Sequence, residues 1–210
     1  WFEALKKVLA SSETVFSPEI VRYKTLEDGD SLALHIFKPR NMQAGEKRPA
    51  IVYFFGGGWK LGTPIQFYRE CAYYASKGMV AVSVDYRIGY LHHSTPFESF
   101  EDAKDAICWL RSHASDYQLD PDKIAVAGGS AGGHLAAALG TIGSDETVPA
   151  GYRPNLSVLY YPVVDMVSRG YGFPEIKRDF EKISPIHHVS EATPSTLILL
   201  GTKDPIVSVE

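Results

Sequence analysis

Cysteine is scarce: Cys71 and Cys108 are the only two in 210 residues. Both fall inside expected helices and are read as buried small hydrophobes, not as a disulfide or a reactive thiol. No apolar run approaches the roughly 18 residues a membrane-spanning helix needs. Basic residues are not in excess, since 21 Lys and Arg stand against 25 Asp and Glu for a formal net charge of -4. Nucleic acid therefore has no basic face to meet. Neither Gly-x-x-x-x-Gly-Lys-Ser/Thr nor Gly-x-Gly-x-x-Gly occurs, which argues against a phosphate-cradling loop. No His or Cys spacing matches a zinc ligand set, and no cofactor is expected. Internal repeats, low-complexity tracts and domain linkers are all missing. Asn155-Leu156-Ser157 fits a glycosylation sequon, but it opens an expected buried strand and is read as structural. Trp1 opens the chain in place of methionine, which is read as removal of the native N-terminus, and no compartment is assigned.

What is present is an ordinary globular composition, 45% apolar and 22% charged, long enough for one domain with a sizeable core. Helical spacing of Phe2, Leu5, Val8 and Leu9 predicts a short lead-in helix. Residues 21–25 and 31–37 read as an antiparallel hairpin around Asp28-Gly29-Asp30. From Ala50 onward, buried-type strands (50–55, 79–84, 123–127, 157–161 and 196–200) alternate with helices (65–77, 96–114 and the small-residue run after 130). This alternation predicts right-handed βαβ units, a mostly parallel central sheet and helices on both faces. Residues 163–183 hold Gly170, Gly172 and Pro174 before a short charged helix, and read as a small lid.

The chemistry centres on Gly128-Gly129-Ser130-Ala131-Gly132-Gly133-His134. Strand, Gly-x-Ser-x-Gly, then helix is the context a nucleophile elbow requires. The turn is tight enough that glycine two residues before and two after the serine has a steric reason. Ser130 is thus the candidate nucleophile, and it needs a base with a carboxylate behind it. Asp204, after the last strand, has the place and chemistry of that orienting acid; capping of a helix at Ile206-Val207 is its alternative reading. Gly56-Gly57-Gly58, after another strand, exposes amides without side chains. With the Ala131 amide it can form an oxyanion hole, worth roughly 2.7–4 kcal/mol per donor. All three stretches follow strand ends, the edge where open α/β sheets carry their sites.

No histidine follows Asp204. His35 and His113 read as structural or solvated. His92 and His93 lie in a loop after Arg87, with substrate contact as a lesser reading. His134 is one helical turn past Ser130, so it points into the packing beneath the serine as a structural hydrogen-bonder. His187 and His188 follow the expected lid and are read as neither catalytic nor metal-binding.

These motifs, with Phe55-Gly56-Gly57-Gly58-Trp59, Asp85-Tyr86-Arg87, Ser184-Pro185-Ile186-His187-His188-Val189 and Leu200-Gly201-Thr202-Lys203-Asp204-Pro205, resemble the α/β-hydrolase superfamily. The likeness is to its acetyl-esterase and hormone-sensitive-lipase-like carboxylesterases, from about Tyr23 to Glu210. It implies Ser130 as nucleophile, Asp204 as triad acid, Gly57, Gly58 and Ala131 as oxyanion donors, and structural roles for residues 85–87 and His134. Phe55 stands where the family usually has histidine, which alters packing more than main-chain chemistry. The family's catalytic histidine lies some tens of residues past the acid. The expectation is therefore a single hydrolase domain cut short at its C-terminus, with the last sheet strand left unpaired and prone to associate.

The expected reaction is hydrolysis of small acetyl-type esters through an acyl-enzyme, acetylated carbohydrates included. An arylformamidase-like amide hydrolase, a small-peptide hydrolase and a non-catalytic hydrolase-fold binding protein stay open. Homo-oligomerisation is left open too.

Overall fold

The computed structural model describes residues 17–142, 150–166 and 179–207. Seven strands form one sheet: β1 (Glu19–Thr25), β2 (Ser31–Phe37), β3 (Arg48–Phe54), β4 (Val80–Val84), β5 (Leu119–Gly129), β6 (Leu156–Tyr160) and β7 (Ser195–Leu199). Their spatial order is β1-β2-β4-β3-β5-β6-β7. The hairpin pair β1–β2 and the β2–β4 pair are antiparallel, and every other pair is parallel. β2 alternates buried and half-buried residues, as a strand one step from the edge should. By contrast, Ala50–Phe54 of β3 and all of β4 are buried on both faces, which is why their apolar runs are continuous rather than alternating.

Helices flank the sheet. Residues expected to form one helix at 65–77 divide into a 3-10 turn, Pro64–Phe67, and α1, Tyr68–Ser76. Pro64 fixes the entry of that turn. A four-residue helix absent from the sequence reading, α2 (Gly89–His92), follows, so His92 ends a helix rather than standing in a loop. α3, Pro96–Ser112, opens on a capping box in which the Thr95 hydroxyl accepts from Phe97 N–H and Glu98 accepts from Thr95 N–H. Phe100, Ala103, Ile107 and Leu110 face inward from it, as their spacing predicts. α4, Ala131–Thr141, is buried all round, and its glycines and alanines are what let it lie so close to the sheet.

Two expectations need correcting. Cys108 is exposed, not buried, because α3 turns it away from the inward face that holds Ile107 and Leu110. Cys71 is buried as expected, and burial pushes its thiol pKa up. β7 is open on both faces, with Leu197, Ile198 and Leu199 each 45–53% exposed, although its composition is that of a covered strand. The lead-in helix at residues 1–9 and the glycines of the expected lid lie outside the described residues. Among the described residues no helix is long and apolar enough to cross a membrane.

Candidate active site

Sheet order makes β3 and β5 neighbours, so the loop after β3 and the turn after β5 meet. Ser130 sits in that turn at φ 55°, ψ -118°, a region a residue with a side chain rarely occupies and one that clusters at functional sites. The Ser130 amide donates to the Tyr160 carbonyl of β6 at 3.0 Å, which ties the turn to the sheet. Its hydroxyl has no hydrogen-bond partner among the described residues. α4 starts at the next residue, so the Ala131 amide has no acceptor within the helix and lies at its positive end.

The flanking glycines have the steric cause the sequence suggests. A Cβ on Gly128 would fall 2.3 Å from the Gly132 carbonyl oxygen, and one on Gly132 would fall 2.0 Å from that of Phe54. One on Gly56 would lie 2.8 Å from the Gly129 oxygen and 3.4 Å from Ser130 Cβ. The glycine loop and the elbow are thus in direct contact.

Within the loop the amides are used unequally. Gly56 N–H donates to the Gln66 side chain, while the Gly57 carbonyl accepts from Lys60 and Leu61 amides at 3.1 and 3.2 Å. Gly57 N–H and Gly58 N–H donate to nothing among the described residues. Two main-chain donors in the loop that meets the elbow through Gly56 are therefore unspent among the described residues.

Asp204 follows β7, two strands along the same edge from β5. Its Oδ1 accepts from the Ile206 and Val207 amides, each at 2.9 Å, the bonds a cap would make, although residues 205–207 are bends and no helix follows among the described residues. Those two bonds hold its carboxyl below the ordinary carboxylate pKa. Oδ2 takes no part in them. Asp204 makes no hydrogen bond to Ser130 or to any histidine.

The histidines are occupied elsewhere. His35 Nδ1 pairs with the Tyr68 hydroxyl, His92 Nδ1 accepts from Ile88 N–H at 3.0 Å, His113 stacks on Trp109, and His188 Nε2 meets the Glu181 carbonyl at 2.7 Å. His93 caps α2 with a positive φ, and His187 lies against Phe180. His134 is buried, with the Trp59 indole on one nitrogen and the Ile183 carbonyl on the other. Burial holds its pKa down at about 4.

That shift has a sign. A histidine whose folded pKa is depressed from 6.5 to about 4 stays neutral when folded while the unfolded chain takes up a proton. Stability is therefore full above about pH 6.5 and falls on acidification toward pH 4, by about 3 kcal/mol at most for this one residue. Asp85, whose carboxyl burial pushes up to about 6, acts in the opposite direction over part of that range. The expected outcome is that His134→Gln flattens the stability–pH profile between pH 6.5 and 4 relative to the parent. Urea midpoints at half-unit steps measure it, and parallel profiles would count against a buried neutral imidazole.

Some supporting residues carry little sequence signal. Gln66 is an exposed polar side chain ten residues from the glycine it holds, and no periodicity marks it. Tyr86, half of whose motif was legible, stacks on Phe55 with centroids 4.1 Å apart and donates to the Phe55 carbonyl at 2.6 Å. It thereby fixes the root of the glycine loop. Asp102 was missed: its side chain is fully buried, accepts bidentately from Arg87 at 2.8 Å, and pairs with Lys24 at 2.6 Å. A carboxylate spaced three and four residues from buried Ser99 and Ala106 was the available signal. Hydrogen bonds to Asp102 raise the Arg87 pKa.

Asp102→Ala is expected to cost about 3 kcal/mol, because it takes both carboxylate bonds from Arg87 and the acceptor from the Arg87 amide; Arg87 keeps some solvent and Lys24 keeps Asp105, which holds the cost at the low end. Denaturant unfolding tests this, and a change below about 1 kcal/mol would contradict it.

The chain is similar to known esterases. The BD-FAE family model matches residues 34–177. Esterase LipC of Mycobacterium tuberculosis is 29% identical over 87% of this chain and 51% of its own length. Carboxylic ester hydrolase LipN of the same organism is 33% identical over 65% of this chain and 39% of its own. Among solved structures, the esterase Est2 of Thermogutta terrifontis superposes with a TM-score of 0.83 at 36% identity, covering 91% of this chain and 72% of that one. The chain thus spans about half the length of LipC and similar curated relatives. With the parallel sheet, the strained Ser130 turn and the adjoining glycine loop in place, the chain belongs to the BD-FAE family within the α/β-hydrolase superfamily.

Proposed function

We propose that this chain carries the nucleophile and oxyanion site of a serine carboxylesterase acting on short-chain, acetyl-type esters. The observation that carries the reading is the strained, unpartnered Ser130 at the head of α4, packed against a glycine loop whose Gly57 and Gly58 amides are unspent among the described residues.

Ser130 Oγ attacks the ester carbonyl and its proton passes to a base. The carbonyl oxygen gains negative charge as it becomes tetrahedral, and the Gly57, Gly58 and Ala131 amides receive it. Collapse breaks the bond to the alcohol, which leaves with the proton, and water then releases the acid from the acyl-enzyme. Asp204, with Oδ2 outside its capping bonds, is the orienting acid. The base is a histidine other than the seven of this chain, none of which hydrogen-bonds Ser130 or Asp204. Phosphonylation of the Thermogutta esterase by sarin and cyclosarin supports a reactive nucleophile. Its structures with propionate and butyrate bound support a short acyl chain. Acetylated alcohols, carbohydrate acetates among them, are the proposed substrates. The open apolar β7 edge favours self-association as a further property.

A fluorophosphonate probe tests the reading. In protein extended to carry that histidine, stoichiometric labelling, located by peptide mass on Ser130, is expected, with faster turnover of p-nitrophenyl acetate than of N-formyl aryl amides. Labelling elsewhere, or none, would assign the chain to the binding proteins of this fold instead. Preference for the formamide would make it an amide hydrolase.

A further inference from the structure

Trp59 closes the glycine loop with φ 58°, a left-handed backbone that a bulky residue keeps only when its side chain is fixed elsewhere. The indole is buried, and His134 is one group that holds it. Trp59 Nε1–H donates to His134 Nδ1 at 3.3 Å, and the two rings meet edge to face with centroids 5.1 Å apart. Since Nδ1 accepts, the ring proton is on Nε2, which donates to the Ile183 carbonyl at 2.7 Å. The His134 amide in turn donates to the Ser130 carbonyl at 2.9 Å. Ile183 belongs to a segment that is itself pinned, because the Ser184 hydroxyl accepts from the Met166 amide at 2.9 Å.

Three segments therefore converge on one ring: the loop bearing Gly57 and Gly58, the helix bearing Ser130, and the Ile183–Ser184 segment. A neutral imidazole in a single tautomer offers an acceptor on one side and a donor on the other. An apolar side chain of the same size would fill the space but remove the acceptor that the indole N–H uses and the donor that the Ile183 carbonyl uses.

We propose that His134 is a positioning residue for the oxyanion site, setting through Trp59 the distance and angle at which the Gly57 and Gly58 amides face Ser130. The inference rests on the esterase reading of those amides and adds the device that holds them. Core filling alone would lower stability without altering how the transition state is held. Positioning lowers kcat, because displacement of about 1 Å near the reacting atoms costs on the order of a hundredfold.

The test compares His134→Phe, which keeps a ring and loses both hydrogen bonds, with His134→Gln, whose amide can both accept and donate. Trp59→Phe removes the donor alone and serves if His134→Phe does not fold. Two readouts are used, on protein that carries the catalytic base: kcat and KM for p-nitrophenyl acetate, and the amide resonances of Gly57 and Gly58 in nitrogen-15-labelled protein. His134→Phe or Trp59→Phe is expected to shift both glycine amides and to lower kcat about a hundredfold with KM within about threefold, while His134→Gln recovers most of both. Glycine amides that stay in place, or a fall in thermal stability with kcat unchanged, would overturn the inference. If the parent protein hydrolyses no ester and does not react with a phosphonate at Ser130, the esterase reading falls separately. The glycine resonances then decide the inference alone.

Discussion

Ser130→Ala is expected to lower ester hydrolysis by about 10⁴-fold or more, leaving only what binding and the oxyanion donors provide without a nucleophile. The protein that lacks the hydroxyl should still fold. Alanine keeps the Cβ, so it neither relieves nor adds to the strain at φ 55°. The amide bond from Ser130 to the Tyr160 carbonyl is likewise main-chain and untouched. Thermal midpoints of parent and variant should then agree within about 2 °C. Ser130→Gly separates strain from chemistry. It too removes the nucleophile, but glycine occupies this backbone region freely, and a gain of about 1 kcal/mol is expected. An inactive variant more stable than its parent would show that the fold carries strain at this turn for the sake of the hydroxyl. Retained hydrolysis in Ser130→Ala, on protein of unchanged stability, would remove Ser130 from the mechanism altogether.

How much of this the sequence made legible depends on the kind of contact. Main-chain crowding was legible, because glycine at 128 and 132 leaves its own mark where a Cβ has no room. The sheet was legible from continuous apolar runs bounded by turn residues. His134 could be placed as structural because four residues past a known point on a helix fixes its direction. Side chains that reach across the chain to a main-chain atom left no such mark. Gln66 on Gly56 and Tyr86 on Phe55 connect residues 10 and 31 apart, and nothing in composition or period pairs them. Asp102 was hidden for a related reason, since a carboxylate in an amphipathic helix reads as solvated until its partners, 15 and 78 residues away, are in view. β7 failed differently. Its apolar composition says what the strand is made to touch, whereas its exposure says what stands against it in the described structure.

Gly132→Ala is expected to be among the most damaging single methyl groups that can be added to the described structure. Its Cβ would lie 2.0 Å from the Phe54 oxygen, 2.5 Å from the Phe54 carbon and 2.5 Å from the Phe55 oxygen. All three are main-chain atoms at the end of β3, a central strand paired on both sides, so none can swing away as a side-chain tip would. Relief requires the first turn of α4 to lift off the strand by more than about 1 Å, which strains a close-packed interior. A cost of about 4 kcal/mol or more follows, a midpoint fall on the order of 10 °C for a chain of this size. The same displacement would carry Ser130 and the Ala131 amide away from the Gly57 and Gly58 amides, so any folded fraction should lose a further hundredfold or so in kcat. Gly140→Ala, near the other end of the same helix, is the control. There a Cβ meets the Pro194 ring at 3.1 Å and the Ser157 hydroxyl at 3.3 Å, contacts that can yield by a few tenths of an ångström, and the better helix propensity of alanine offsets them. A stability change within about 1 kcal/mol is expected for it. Equal tolerance at 132 and 140 would mean that α4 is not seated on the end of β3 as closely as the elbow geometry demands, and the placement of Ser130 against the glycine loop would have to be redrawn.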